Sequence, residues 1–145
     1  MDSDLLGKVE EVFRSKNYVT PWLLSKELGV DLRRARMLYS EFKKYCLSEG
    51  LCIEYKGILY RIGSREVSEF LKKEQDKILG KDGLPRLLYV IIDSYEGECI
   101  PLKELFERLQ KHKIKIPSPY ILEALAAIYK RGLIYEKHPL CYKVV

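Results

Sequence analysis

Apolar residues near the start of the chain recur at helical spacing: Leu5, Leu6, Val9, Val12 and Phe13 share one face, after a Ser3 placed to cap it. A polar break from Ser15 to Asn17 follows. Tyr18-Val19-Thr20 then reads as a brief strand, and Pro21 suits the first helical position after a Thr20 cap. A second helix runs through Trp22, Leu23, Leu24 and Lys26 to Leu28, with Gly29 to close it. Asp31 caps a third helix reaching Ser48, whose Leu32, Ala35, Leu38, Tyr39, Phe42 and Cys46 form a core-facing stripe. Gly50 ends that helix. The alternating runs Leu51 to Tyr55 and Ile58 to Ile62 flank Lys56-Gly57, which predicts a tight hairpin.

The same order is then written again. After Lys81-Asp82-Gly83, Pro85 opens a helix through Leu87, Leu88, Val90, Ile91 and Ile92 that stops near Gly97. Cys99-Ile100 gives a short strand, and Leu102, Leu105, Phe106 and Leu109 mark a second helix. Ser118-Pro119 is a cap-plus-proline start for a third helix ending at Gly132. Leu133 to Lys137 and Leu140 to Val144 form a closing hairpin around His138-Pro139. Between the copies, Val67, Phe70, Leu71 and Ile78 make an amphipathic stripe on a helix that Ser64 is placed to cap. The stripe docks on the preceding domain or on a second copy of the chain. The division is therefore 1–63, a linker helix over 64–83, and 84–145.

Composition narrows the class. With 47% hydrophobic and 32% charged residues, the 145-residue chain can bury cores and keep a charged surface. The apolar run Leu87 to Ile92 is far shorter than the roughly 20 residues that span a bilayer, and the acidic start Met1 to Asp4 is unlike a secretory leader. The expectation is a cytoplasmic protein with no membrane partner, associated with the nucleoid, or nuclear if the source is eukaryotic. A net charge of +5 permits binding to nucleic acid. Cys46, Cys52, Cys99 and Cys141 show no Cys-x-x-Cys pair, so no metal and no cofactor are predicted. Cys99 and Cys141 are brought close if the short strand pairs with the last one. They are expected as thiols in a reducing cytosol, with a disulfide the alternative that a hyperthermophilic source favours. No nucleophile–base pair, paired carboxylates or phosphate-binding glycine loop is present, and the glycines outside the first helix fall at turns, so no enzymatic activity is expected.

At Val19-Thr20, Leu24-Ser25, Leu28-Gly29-Val30 and Ala35 the first copy resembles the winged helix-turn-helix superfamily. The implied fold class is α+β and mainly helical, with two tandem winged helices joined by an amphipathic helix. More narrowly, the string from Val19 through Phe42 resembles the N-terminal winged helix of the third, accessory subunit of eukaryotic DNA polymerase δ. In that family the domain docks on the polymerase's small B-subunit, which implies protein contact within a replication complex.

A third helix of this kind reads duplex DNA when its solvent face carries side chains that reach phosphates and base edges. Opposite the core stripe lie Arg33, Met37, Ser40 and Lys44, flanked by Arg36 and Lys43. Lys56 at the hairpin turn and Arg61 on the returning strand extend this candidate DNA surface. In the second copy Lys111, His112, Lys113 and Lys115 precede the third helix and can touch phosphates without reading sequence. Opposite a core stripe of Ile121, Leu122, Leu125 and Ile128, that helix instead presents Tyr120, Glu123, Ala127 and Lys130, with Ala124 and Ala126 beside them, a face suited to a protein or a second copy of the chain. Tyr55, Tyr60, Tyr135 and Tyr142 on the hairpins either stack on bases or, the commoner use, pack on their sheets. The leading expectation is a double-stranded DNA-binding protein, transcriptional, chromosomal or replication-associated. The alternative is an adaptor or accessory subunit of a replication or transcription complex.

Overall fold

A computed structural model describes residues 3–73 and 83–145. The chain is α+β and mainly helical, with small antiparallel sheets. In the first unit, α1 (Ser3–Lys16) leads to β1 (Tyr18–Val19), α2 (Pro21–Leu28), α3 (Leu32–Ser48), β2 (Cys52–Tyr55) and β3 (Ile58–Arg61). A short helix, α4 (Arg65–Lys73), follows. The second unit repeats the order as α5 (Gly83–Asp93), β4 (Ile100–Pro101), α6 (Leu102–Lys111), α7 (Ser118–Lys130), β5 (Ile134–His138) and β6 (Cys141–Val144). In each sheet the short strand pairs with the last strand of the hairpin, giving the orders β1-β3-β2 and β4-β6-β5.

Local chemistry sets the helix ends in the first unit. Thr20 Oγ1 accepts from the Leu23 amide at 3.0 Å, Asp31 accepts from the Arg34 amide at 2.7 Å, and Gly29 closes α2 at φ 66°. The hairpin turn has both central residues at positive φ, 53° at Lys56 and 75° at Gly57, the geometry of a type I′ turn. The second unit departs from its expected caps. Ser118 is already helical, Pro117 occupies the capping position without a side-chain bond, and the turn of the second hairpin is Pro139-Leu140, because His138 pairs with Cys141. The helix that opens the second unit begins at Gly83 and ends at Asp93, short of Gly97.

Two apolar cores form, and the first sheet stands between them. Cys52 and Leu59 point into the core built by Val9, Phe13, Leu24, Leu38 and Phe42. Ile53, Tyr55, Tyr60 and Ile62, on the opposite face, belong to the core of the second unit with Leu84, Leu87, Leu88 and Ile121. Side chains alternate across a strand, so one hairpin serves both cores. A Cβ at Gly83 would stand 2.9 Å from the Glu54 carbonyl oxygen, so the start of α5 fits against β2 only as glycine. The two units are further joined by a β-bridge between Ile62 and Ile114.

Leu71 on α4 is buried in the second core, and Val67 and Phe70 pack against it. The linker stripe thus docks within the chain; its expected continuation through Ile78 lies outside the described residues. Gly50 permits this, since a Cβ there would overlap the Ser68 carbonyl oxygen.

The second sheet has a largely exposed edge strand, with Tyr135 through His138 of β5 exposed, and carries a covalent tie. Cys99 and Cys141 are disulfide-bonded, with Cα atoms 5.4 Å apart, whereas Cys46 and Cys52 are buried free thiols. The expectation of four thiols is corrected here, because pairing of β4 with β6 sets Pro101 opposite Cys141 and brings Cys99 within bonding reach. The bond closes a sequence separation of 42, for which loop-closure entropy gives about 4 kcal/mol. Reduction is therefore expected to lower the urea midpoint markedly while Cys46 and Cys52 resist alkylation in the folded state. Unchanged midpoints with and without dithiothreitol, with thiol counting to verify reduction, would refute the stabilising role.

Candidate nucleic-acid interface

The solvent face of α3 is built from the core outward. Ala35, Leu38, Tyr39, Phe42 and Cys46 are buried, which turns Arg33, Arg36, Met37, Ser40 and Lys44 to solvent. Met37 is 58% exposed. Arg33, Arg36 and Lys44 make no ion pair among the described residues, so their charges are uncommitted. Ser25 Oγ donates to the Val30 carbonyl at 2.6 Å and pins the turn between α2 and α3. Together with the Thr20 and Asp31 caps, this fixes the helix pair as one rigid piece.

Other residues of the expected DNA surface are already engaged. Lys43 Nζ lies 2.9 Å from one oxygen of Glu54, and the Tyr39 hydroxyl donates at 2.8 Å to the other. Glu54 therefore stitches β2 to α3, with its side chain only 17% exposed. Lys56 is paired with Glu123 of α7. Arg61 is half-buried and donates to Asn17 Oδ1 at 3.4 Å, across the β3–β1 edge.

In the second unit, Lys111, Lys113 and Lys115 are exposed around a buried Ile114. His112 is half-buried, its Nδ1 3.2 Å from the Ser64 hydroxyl. On α7, Tyr120 lies edge-on to Tyr55 at 5.9 Å and tilted to Tyr60 at 6.3 Å. The first half of this expected protein-facing surface thus meets the first unit's own hairpin. Ala124 requires correction: it is fully buried, because α7 turns it into the second core beside Leu125 and Ile128. Ala127 is half-buried, and Lys130 is exposed. Leu122, expected on the core stripe, is instead exposed, because it falls beyond the edge of the buried face set by Ile121, Ala124, Leu125 and Ile128, so the open part of α7 is the line Leu122, Ala126, Tyr129 and Lys130.

The hairpin tyrosines divide similarly. Tyr55 and Tyr60 are buried, Tyr142 is half-buried, and Tyr135 is exposed. The Tyr60 hydroxyl has no hydrogen-bond partner among the described residues, and burial pushes its pKa up to about 12. Tyr39 is raised further by burial and by the hydrogen bond to Glu54. One exposed residue was not singled out by the sequence reading. Trp22 is 67% exposed on α2, with Lys26 Nζ 5.9 Å from its ring centroid. Helical spacing held the signal, since Leu23 and Leu24 occupy the buried face and Trp22 falls off it.

Among the described residues no group of three or more His, Cys, Asp or Glu is placed to hold a metal ion, and no helix is long and apolar enough to cross a membrane. No family model, curated protein or solved structure matches the chain.

The raised tyrosines give a pH expectation. The unfolded chain releases phenolic protons near pH 10, whereas the folded chain holds those of Tyr39 and Tyr60 to higher pH. The folded state then binds more protons, so stability is complete below about pH 10 and falls as pH rises through 12. Tyr39→Phe is expected to cost about 1 kcal/mol at neutral pH through the lost Glu54 bond, and to flatten the alkaline decline. Urea melts from pH 8 to 12 check this; an equally steep decline in the variant would assign it to other groups.

Proposed function

We propose that this chain is a non-enzymatic double-stranded DNA-binding protein that contacts DNA through the exposed face of α3. Each unit's order of helix, strand, helix, helix and hairpin, with the short strand on the hairpin's last strand, supports a winged-helix reading. The observation that carries the proposal is the set of uncommitted cations Arg33, Arg36 and Lys44 on a helix whose opposite face is locked into the core. Arginine there can bond guanine edges in pairs, and all three can neutralise phosphates. Lys111 at the end of α6, with Lys113 and Lys115 beyond it, adds positive charge outside the third helix of its unit, where phosphates can be met without reading bases. Chromosomal, transcriptional and replication roles all use such a contact.

Reversing Arg33, Arg36 and Lys44 to glutamate together is expected to abolish duplex binding. Changing the three to glutamine is expected to lower the slope of log affinity against log salt by about 2 to 3. A wild-type chain that does not bind duplex DNA at low salt, or variants that bind as well, would overturn the proposal.

A second reading, as an adaptor or accessory subunit, is favoured by a different surface. Leu122, Ala126 and Tyr129 form an exposed apolar line on α7, with Leu122 and Tyr129 each about half exposed. Apolar stripes of this kind are commonly covered by a protein partner or a second copy of the chain. Under this reading a Leu122→Asp/Tyr129→Asp variant keeps its melting temperature and DNA affinity but loses a partner that the wild type captures from its source cells, or loses self-association in sedimentation. Identical capture and sedimentation for the two proteins would remove this reading.

A further inference from the structure

The first hairpin turn is where a winged-helix protein gains a phosphate contact outside the groove, and the residue there is Lys56. In this chain the second unit has reached it first. Lys56 Nζ pairs with the Glu123 carboxylate and lies 5.8 and 5.9 Å from the ring centroids of Tyr55 and Tyr120. Those two rings meet edge-on, which sets α7 against the hairpin independently of the charges. Glu54, two residues before Lys56, is bonded to Tyr39 and Lys43 of α3, so the turn is fixed beside that helix. Lys56 thus sits at the tip of a hairpin whose β2 is tied to α3, about half exposed, with its charge already answered.

We propose that Glu123 is a built-in counter-charge that withholds Lys56 from DNA, so that the first unit grips the duplex through α3 without its hairpin. The inference rests on the DNA reading above. A phosphate and the Glu123 carboxylate compete for the same ammonium. A lysine neutralised internally must give up that partner before it can neutralise a phosphate, and so adds nothing to the counterion release that drives binding. The apolar packing of Tyr55, Tyr60 and Ile62 into the second core keeps α7 in place, so the carboxylate does not leave with its helix. Glu123 in this sense sets how much of the positive surface is available to DNA.

The test measures affinity for a duplex across a salt series in four full-length proteins: wild type, Glu123→Gln, Glu123→Gln with Lys56→Gln, and Glu11→Gln. Glu123→Gln is expected to bind about threefold more tightly at intermediate salt and to steepen the slope by about 0.9, the effect of one added phosphate contact. The double variant returns to wild-type affinity and slope. Glu11→Gln, which changes net charge equally at an exposed position on α1, leaves both unchanged. The inference is overturned if Glu123→Gln binds as wild type does, if the double variant retains the gain or falls below wild type, or if Glu11→Gln gives the same gain. Salt-dependent wild-type binding with an unresponsive Glu123→Gln removes this inference alone. No duplex binding by wild type or Glu123→Gln removes the DNA reading with it.

Discussion

Burial of the first sheet on both faces is the constraint from which the rest of the arrangement follows. Cys52 and Leu59 face one core while Ile53, Tyr55, Tyr60 and Ile62 face the other. A slip of one residue in the β2–β3 register would exchange the two sets and ruin both cores at once. The type I′ turn at Lys56-Gly57 helps fix that register locally, and the two cores enforce it globally. Each large apolar side chain so buried contributes roughly 1.5–3 kcal/mol, so this packing and not the half-exposed Lys56–Glu123 pair holds the units together. The ion pair is a consequence of where the packing delivers its two residues.

Two copies of one element order have therefore become mechanically different. The first hairpin is an internal layer, sandwiched and screened. The second exposes Tyr135, Glu136, Lys137 and His138 along β5, and is held by the Cys99–Cys141 bond and by Glu98 pairing with Lys137 at 2.7 Å. The third helices diverge in the same way. α3 has an open solvent face, while the first turns of α7 are spent on the neighbouring hairpin through Tyr120 and Glu123.

Much of the first unit was legible because its signals are local. Thr20 and Asp31 cap the helices that their positions predict, and the apolar stripe of α3 is buried apart from Leu32, which stays partly exposed. The expected DNA surface was legible only as far as it depended on helical phase. That placed Arg33, Arg36 and Lys44 correctly in solvent, but the engagement of Lys43 by Glu54 and of Lys56 by Glu123 depends on tertiary pairing that no local pattern encodes. Ala124 was misplaced for a related reason: a small residue next to the core stripe sits on its edge, and the neighbours that cover it decide its burial. One tertiary feature did leave a trace. Within the two alternating runs, Leu51-Cys52-Ile53 and Ile58-Leu59-Tyr60 put apolar residues on both faces of the hairpin, more than a hairpin with one wet face requires.

The net charge of +5 says little about where a polyanion would bind, because cations differ in what already answers them. Lys43, Lys56, Lys72 and Lys137 each face a carboxylate within the chain, and Arg61 is turned toward Asn17. Removing these from consideration leaves Arg33, Arg34, Arg36 and Lys44 as the uncommitted charge of the first unit's third helix, with Arg34 on the flank that carries Glu41. The same carboxylate that takes Lys43 out of that set also accepts the Tyr39 hydroxyl and ties α3 to β2, so the remaining cations are presented on a helix with little freedom to rock. A fixed helix loses less orientational entropy on meeting a groove than a mobile one. Under the proposed reading, Glu54 thus subtracts one charge from the surface and in exchange holds the other cations of α3 in position.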